Sequence, residues 1–273
     1  VDLYRTPEVS AAEGVRHETP ARLMCRLPRL LLARFPGRAF VFTGDSGYGT
    51  HEVARFCYRH RARLTLVSEP HPDANLFDPP PPYTGKGRPR LNGQRRPKPR
   101  QAVGAAESFT RLEAGWYGGG KRRVDTLDGT GHRYKGGCGL VPSRWVFVKD
   151  ATGTHRDGYF FTTDPGLTPA AVIGHYCGRW NIETTFQEAR SGLGLETTRG
   201  WRETTVLRAG PCLSGLYSVV AILFAALPES KRAGGVPWPG KSVVAFSDAL
   251  SAVRRWLWAE AVLPQAGGGT VLE

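Results

Sequence analysis

Apolar residues in the first seventy positions follow two patterns, one typical of helices and one of buried strands. From Glu18 to Phe35 they are spaced three and four residues apart, which predicts a helix, and Pro28 indicates a kink or a boundary. Ala39 to Thr43 is a continuous apolar run, which predicts a strand buried on both faces. Thr50 to His60 is a predicted helix and Leu64 to Val67 a predicted strand. This alternation of strands and helices predicts an α/β fold.

The second half of the chain changes from strand patterns to helical ones. Short strand-like runs separated by glycine-rich turns occupy residues 107–163. One helix is predicted from Thr168 to the glycines after Ser191. Another is predicted from Ala209 to Leu227, and an amphipathic one from Ser247 to Leu263. The apolar run from Cys212 to Leu227 is shorter than the roughly 20 residues of a membrane span, so it predicts a buried core helix.

Residues 69–105 differ in composition from the rest of the chain. Seven Lys and Arg residues lie from Lys86 to Arg100, with no acid among them, after the four prolines of Pro79–Pro82. Polyproline stays extended and dense charge resists burial, so a solvated arm is predicted. Gly87-Arg-Pro-Arg90 is similar to the minor-groove-reading core of an AT-hook. A flexible basic linker is the other interpretation, and both would contact phosphates.

The charge balance indicates a polyanionic partner. Lys and Arg total 37 against 24 Asp and Glu, a net charge of +13, which favours nucleic acid over a membrane surface. The five cysteines form no C-x2-C pair and their number is odd. A zinc site or a disulfide framework is therefore not expected, whereas reduced cytoplasmic thiols are. Residues 1–20 contain charges and prolines but no apolar block, so no signal peptide is expected.

Asp45 is the first candidate for chemistry. It closely follows the predicted strand at residues 39–43 and precedes Gly47 and Gly49. Ligands of open α/β sheets bind beyond the carboxyl ends of the strands, which makes Asp45 a candidate ligand. An aspartate that caps the next helix fits the local pattern equally well.

A second candidate is a stripe of polar residues on the helix predicted after Thr168. Tyr176, Arg179, Glu183 and Arg190 are separated by three, four and seven positions, which places them on one helical face. One carboxylate flanked by two guanidiniums and a phenol suits a metal beside a phosphate. An amphipathic helix with an i,i+4 ion pair is the alternative, and spacing alone favours it.

The motif from Tyr176 to Arg190, Y-x2-R-x3-E-x6-R, resembles the signature around the last acid of DDE transposases of the IS4/IS701 type. The family usually ends this motif in Lys, where this chain has Arg190. The stretch Phe40–Gly49 is similar to the strand that carries the family's second catalytic Asp, which corresponds to Asp45. Phe77–Arg90 resembles its proline and basic segment, and Phe160–Asp164 the strand end before its Glu-bearing helix. The order and spacing agree from about residue 1 to residue 227.

The resemblance implies an α/β fold with a ribonuclease-H-like core and a β-rich insertion between the second Asp and the Glu. The family's first catalytic Asp has no counterpart, because Asp2 lies too close to Asp45 to leave room for two further strands. An N-terminally truncated core, the C-terminal portion of a transposase, is therefore expected. The expected parts are the start of the core (1–68), the basic arm (69–106), the β-rich insertion (107–163), the Glu-bearing helix with the rest of the core (164–228), and a C-terminal helix and tail (229–273).

The resemblance also implies roles for individual residues. Asp45 and Glu183 would be catalytic and would bind Mg²⁺ or Mn²⁺, weakly here because one carboxylate of the triad is missing. Arg in place of Lys keeps the charge but presents a planar fork. The residues expected to contact DNA, three from the motif and three from the basic arm, are Tyr176, Arg179, Arg190, Lys86, Arg88 and Arg90.

The expected function is that of a DNA transposase fragment. In the intact protein it would bind DNA and carry out metal-dependent phosphodiester cleavage and strand transfer, and the fragment would be inactive alone. A noncatalytic DNA-binding protein derived from a transposase is the alternative. RNA binding has only the charge in its favour, since no RNA-reading motif occurs. The expected partners are the double-stranded DNA of transposon ends and a second copy of the chain on DNA. No membrane partner is expected. The expected location is the bacterial cytoplasm, at the nucleoid.

Overall fold

The structure is a computed structural model that describes residues 3–85, 87–197, 202–232 and 244–262. The chain divides into two compact units, one of residues 4–181 and one of residues 182–273 with residues 1–3. The helices are α1 (Pro7–Ala12), α2 (Pro20–Arg34), α3 (His51–Arg59), α4 (Pro99–Gly104), α5 (Pro169–Gly178), α6 (Asn181–Leu193), α7 (Glu203–Ala226), α8 (Glu229–Arg232) and α9 (Phe246–Trp256). The strands are β1 (Phe40–Thr43), β2 (Leu64–Ser68), β3 (Leu76–Phe77), β4 (Thr110–Gly115), β5 (Lys121–Lys135), β6 (Gly139–Asp150) and β7 (Gly158–Thr162).

The seven described strands form one sheet in the first unit. Their order is β1-β2-β7-β6-β5-β3, and β4 pairs with another part of β5. β1 and β2 are parallel, whereas the other pairs are antiparallel. The predicted α/β class is therefore confirmed, with a mostly antiparallel sheet. The ribonuclease-H-like core and its truncation stay predictions.

Helices cover both faces of this sheet. Successive side chains of a strand point to opposite faces, so neighbouring residues pack in different hydrophobic clusters. Phe161 packs in the hydrophobic cluster formed with α2 and α3, whereas its neighbour Phe160 packs in the cluster formed with α5. Leu66 and Val67 divide between the two clusters in the same way. The first unit is thus a helix–sheet–helix sandwich, and the parallel pair β1 and β2 ends at one edge of it.

The prediction of a strand buried on both faces at residues 39–43 is wrong in its burial. Among the described strands β1 pairs with β2 alone, and Val41 is 41% exposed. Whether a strand of this length lies at the edge or in the centre of a sheet depends on the strands that pair with it. Those strands lie far away in sequence. The apolar run therefore predicted the strand but not its position at the edge.

The basic segment is partly exposed, as predicted, and partly attached to the sheet. Residues 79–85 and 87–91 are exposed. Leu76 of β3 is buried, and Arg96 forms an ion pair with Asp78 at 2.6 Å and donates a hydrogen bond to the carbonyl of Thr130 at 2.8 Å. The solvated arm is therefore shorter than residues 69–105, because both ends of the exposed stretch are attached to β5.

The single helix predicted from Thr168 is two helices. α5 ends at Gly178 and α6 begins at Asn181. Glycine and asparagine are poor helix formers, and they flank the break. Tyr176 and Glu183 therefore lie on different helices rather than on one stripe. Pro28, by contrast, lies inside the uninterrupted α2.

The predicted core helix after residue 209 is α7, and its predicted burial is wrong. Within the described residues Val220 is the only buried residue of α7. Its apolar side chains meet α9, where Tyr217 stacks on Phe246 with ring centroids 4.2 Å apart. In the part of the chain that the structure describes, α7 is also the one helix long and apolar enough to cross a membrane. The expectation that the protein has no membrane partner stays a prediction.

Candidate functional site

Asp45 lies two residues beyond β1, where the parallel strands β1 and β2 both end. Its carbonyl accepts hydrogen bonds from the backbone amides of Tyr48 at 3.0 Å and Gly49 at 3.1 Å, and from the Ser68 hydroxyl at 2.8 Å. Its Oδ1 accepts a hydrogen bond from the amide of Gly47 at 2.9 Å. The residue is exposed. A tight turn fastened to the end of β2 therefore presents this carboxylate to solvent.

The capping interpretation of Asp45 is wrong. The residue that caps α3 is Thr50, whose Oγ1 accepts a hydrogen bond from the amide of Val53 at 3.3 Å. Among the described residues, only the amide of Gly47 hydrogen-bonds to the Asp45 carboxylate. One carboxylate oxygen is thus left for a ligand.

Glu69 is an acid at the same edge that the sequence patterns did not single out. It directly follows β2, and its Oε1 accepts a hydrogen bond from the Tyr176 hydroxyl at 2.6 Å. Tyr176 is 4% exposed, and its ring stacks on Phe160 with centroids 4.3 Å apart. Burial, together with the bond to Glu69, raises the pKa of Tyr176. An acid immediately after an apolar strand was the available signal, the same one that marked Asp45.

The environment of Tyr176 bears on its predicted role. Its hydroxyl donates to a carboxylate, so a bond to a DNA phosphate would have to replace the bond to Glu69. Arg179 caps the carboxyl end of α5, and its guanidinium lies 5.5 Å from the centroid of the Tyr176 ring. These two motif residues therefore contact each other, and their contact with DNA stays a prediction.

Glu183 and Arg190 belong to the second unit. Glu183 is half-buried in the first turn of α6, where the helix dipole stabilises a carboxylate. Arg190, in the last turn, forms a two-nitrogen ion pair with Glu196 at 2.8 and 3.2 Å. This pair raises the pKa of Arg190 and lowers that of Glu196. Because Asp45 belongs to the first unit, its approach to Glu183 stays a prediction.

Three residues of the basic arm are proposed to bind DNA. Arg88 and Arg90 are exposed, as a phosphate contact requires. Lys86 lies outside the described residues.

The donor chemistry of the two predicted acids suits a hard divalent cation, because Mg²⁺ prefers carboxylate oxygens. Within residues 3–85, 87–197, 202–232 and 244–262, no group of three or more His, Cys, Asp or Glu is placed to hold a metal ion. The described residues thus offer suitable ligands but no assembled metal centre.

Comparison with known proteins gives a family and one distant structural likeness. The family model for the transposase DDE domain matches residues 16–205. A chain from the cryo-EM structure of the piggyBac transposase synaptic complex with hairpin DNA is 11% identical, with a TM-score of 0.35, and the match covers 92% of this chain and 42% of that one. The chain thus spans less than half of the length of that transposase. No curated protein matches it.

The family match extends over more than half of the chain and includes both the turn that presents Asp45 and the helix that carries Glu183. It also includes the whole of the sheet. The chain belongs to the transposase DDE domain family.

Proposed function

We propose that this chain is part of a DNA transposase that binds double-stranded DNA at transposon ends. In the intact protein it would cut and join phosphodiesters with the help of divalent metal. The observation that carries this proposal is the family match over residues 16–205, which contains an acid at a strand end and an acid at a helix start. The net charge of +13 supports a DNA partner. The motif from Tyr176 to Arg190 supports the IS4/IS701 type.

Asp45 and Glu183 would hold the metal, and a third carboxylate would come from outside this sequence. When bound, a pair of divalent ions activates the attacking oxygen and stabilises the leaving one. The residues of this chain would hold the DNA: Arg88 and Arg90 are exposed for phosphate contacts. Arg190 would have to exchange Glu196 for a phosphate.

The open edge of β1 supports a ribonuclease-H-like core for this protein. In the order 3-2-1-4-5 that the family resemblance implies, another strand lies beside the one that carries the second Asp. β1 has a partner along one side only among the described strands. Its other edge has backbone groups that a further strand could pair with.

We expect the chain to bind duplex DNA with little sequence preference and a steep dependence on salt. Each neutralised phosphate should contribute about 0.9 to the slope of log K against log salt. Replacing Arg88 and Arg90 by alanine should reduce this slope by about one to two units, because two exposed phosphate contacts are lost. The measurement is fluorescence anisotropy with a labelled duplex over a series of salt concentrations.

Arg22 and Arg111 provide a control with the same loss of charge. Each forms an ion pair with an acid, Arg22 with Glu52 and Arg111 with Asp125, both outside the arm. The double variant R22A/R111A should retain most of the slope. Equal slopes for the two double variants would show that the arm does not contact DNA, and no binding by the wild type would refute a DNA partner.

We expect no strand cleavage by this chain alone, because Asp45 and Glu183 supply only two of the three carboxylates of the metal site. The test is incubation of the purified chain with Mn²⁺ and supercoiled DNA. Nicking that disappears in Asp45→Ala or Glu183→Ala would contradict this expectation. Nicking that both variants retain would come from a contaminating nuclease.

The alternative, a noncatalytic DNA-binding protein, needs only the net charge of +13 and the exposed Arg88 and Arg90. The two functions predict different results when the counterpart of the family's first catalytic Asp is supplied. If a longer chain with an additional acid on an apolar strand cleaves DNA, the transposase proposal holds. If it binds DNA but never cleaves it, the alternative holds.

A further inference from the structure

A cleft opens in the first unit beside the turn that presents Asp45. Its volume is about 490 Å³, and its walls are the turn at Ser46 to Thr50, the segment after β2, and the start of β7. Arg133 of β5 lines this cleft. No residue predicted from the sequence as a site residue lines it.

Arg133 is a half-buried cation that has no acidic partner among the described residues. One nitrogen, Nη2, donates a hydrogen bond to the Gly49 carbonyl at 2.8 Å, whereas Nη1 is buried and has no acceptor in the described part of the chain. The guanidinium lies 4.4 Å from the centroid of the Phe161 ring. Burial lowers the pKa of Arg133 to about 10, so the group is still charged at neutral pH. A buried charge without a counter-charge is destabilising, which makes this arrangement unusual for a purely structural residue.

The acids at the cleft do not neutralise Arg133. Glu69 and Asp157 both line the cleft. Glu69 accepts the Tyr176 hydroxyl, and within the described residues neither acid forms an ion pair with Arg133. The guanidinium therefore keeps an unsatisfied capacity for an anion.

The neighbourhood of Arg133 is electropositive. Burial and then the charge of Arg133 lower the pKa of His51, the first residue of α3, to about 4. Lys135 and Arg55 lower it further. Thr50, which caps α3, lines the cleft, so the positive end of the helix dipole lies at the same place. The field at the Arg133 end of the cleft is thus positive, whereas Glu69 and Asp157 lie elsewhere along its wall.

We propose that this cleft binds a phosphate of the DNA backbone and that Arg133 is the residue that holds it. A phosphate oxygen would supply the acceptor that Nη1 lacks, since a guanidinium fork matches the geometry of a phosphate. Nη1 is enclosed in this structure, so we expect the guanidinium to turn toward the cleft about its bond to Gly49 O when the phosphate binds. Arg133 is bonded to Gly49 O, and Asp45 lies in the same turn as Gly49. A phosphate at this site would therefore place the DNA strand next to the Asp45 carboxylate. The inference rests on the proposed DNA function but concerns a residue that this function did not require.

The first test uses inorganic phosphate and thermal unfolding, without DNA. Phosphate should raise the melting temperature of the wild type above that in chloride of equal ionic strength, because it binds only the folded state. It should raise that of Arg133→Met, which keeps a similar volume without the charge, clearly less, because exclusion of phosphate from the surface stabilises both proteins equally. Without phosphate, R133M should melt at or above the wild-type temperature, because an uncompensated charge is removed. No phosphate effect on the wild type would overturn the proposal.

The second test compares DNA affinities at one salt concentration. R133M should bind duplex DNA about tenfold more weakly than the wild type, as loss of a charged hydrogen bond predicts. Arg111→Met removes the same charge from the sheet outside the cleft and should change affinity far less. Equal losses in R133M and R111M, with intact wild-type binding, would overturn the inference and leave the DNA function standing. No wild-type binding would refute the DNA function itself.

A third variant decides the matter if R133M does not fold. Arg133→Lys keeps the charge but lacks the fork, so phosphate should raise its melting temperature less than that of the wild type. An equal rise in both proteins would overturn the proposed contact.

Discussion

Replacement of Asp150 by alanine is expected to lower the free energy of unfolding of the first unit by about 3 kcal/mol or more, as for a broken buried ion pair. The Asp150 side chain is 1% exposed and pairs with Arg122 Nε at 3.1 Å. It also accepts hydrogen bonds from the backbone amides of Thr152, Thr154 and His155 at 3.0 to 3.1 Å. Alanine would leave Arg122 and the turn between β6 and β7 without these acceptors. Urea unfolding followed by circular dichroism measures the loss.

The acid stability of the protein should also depend on Asp150. Burial raises the pKa of Asp150, but the hydrogen bonds from Thr152, His155 and Thr154 outweigh it and hold the pKa well below its usual range. A carboxyl with a depressed native pKa stabilises the fold above its unfolded pKa of about 4 and loses that stabilisation as the pH falls further. Asp150→Asn should therefore show a flatter decline in stability below about pH 4 than the wild type.

Asp125 is the control for Asp150. It pairs with Arg111 on the surface of the same sheet, where solvent weakens the interaction. Asp125→Ala should change the urea midpoint little. Equal midpoints for D150A and D125A would contradict the importance assigned to the buried turn.

Replacement of Gly49 by alanine is expected to disrupt the turn that presents Asp45. A Cβ at this position would lie 2.3 Å from the Glu69 carbonyl and 3.0 Å from the Ser68 hydroxyl. Backbone at that distance has to move, which typically lowers stability by about 1–3 kcal/mol. The same shift would move the Gly49 carbonyl that holds Arg133. We therefore expect both a lower melting temperature and weaker DNA binding.

Gly37 is the matched control for Gly49. A Cβ there would meet no atom within 4 Å. Gly37→Ala should leave the melting temperature unchanged or raise it slightly, since alanine restricts the unfolded chain. A G49A variant as stable as G37A would show that the turn and β2 are not closely packed.

The motif around Glu183 was recognisable in the sequence, but its shape was not. Residue spacing predicted one helix with Tyr176, Arg179, Glu183 and Arg190 on a face. The structure breaks that helix between Gly178 and Asn181. Helical periodicity continues across a short break, because a few residues hardly alter the spacing of the apolar positions. The break therefore left little trace in the pattern.

The hydrogen-bond partners of the polar side chains could not be predicted from the sequence. Tyr176 bonds to Glu69, which lies 107 positions away, and Arg133 bonds to Gly49, which lies 84 positions away. Such contacts depend on how strands are ordered in the sheet, and no local pattern encodes that order. For the same reason the sequence did not reveal that Arg133 lies half-buried with no acidic partner among the described residues.

Local patterns were enough to predict the α/β class, the helix α3, the strand β2, the place of Asp45 beyond β1, and the family. These depend on short-range features: alternation and periodicity of apolar residues, turn-forming glycines, and a compact motif. Three features became known only from the fold: β1 is an edge strand, Glu69 accepts a hydrogen bond from Tyr176, and Arg133 lines a cleft beside Asp45. These depend on long-range pairing of strands, since burial and electrostatic environment are properties of the packed chain rather than of its local sequence.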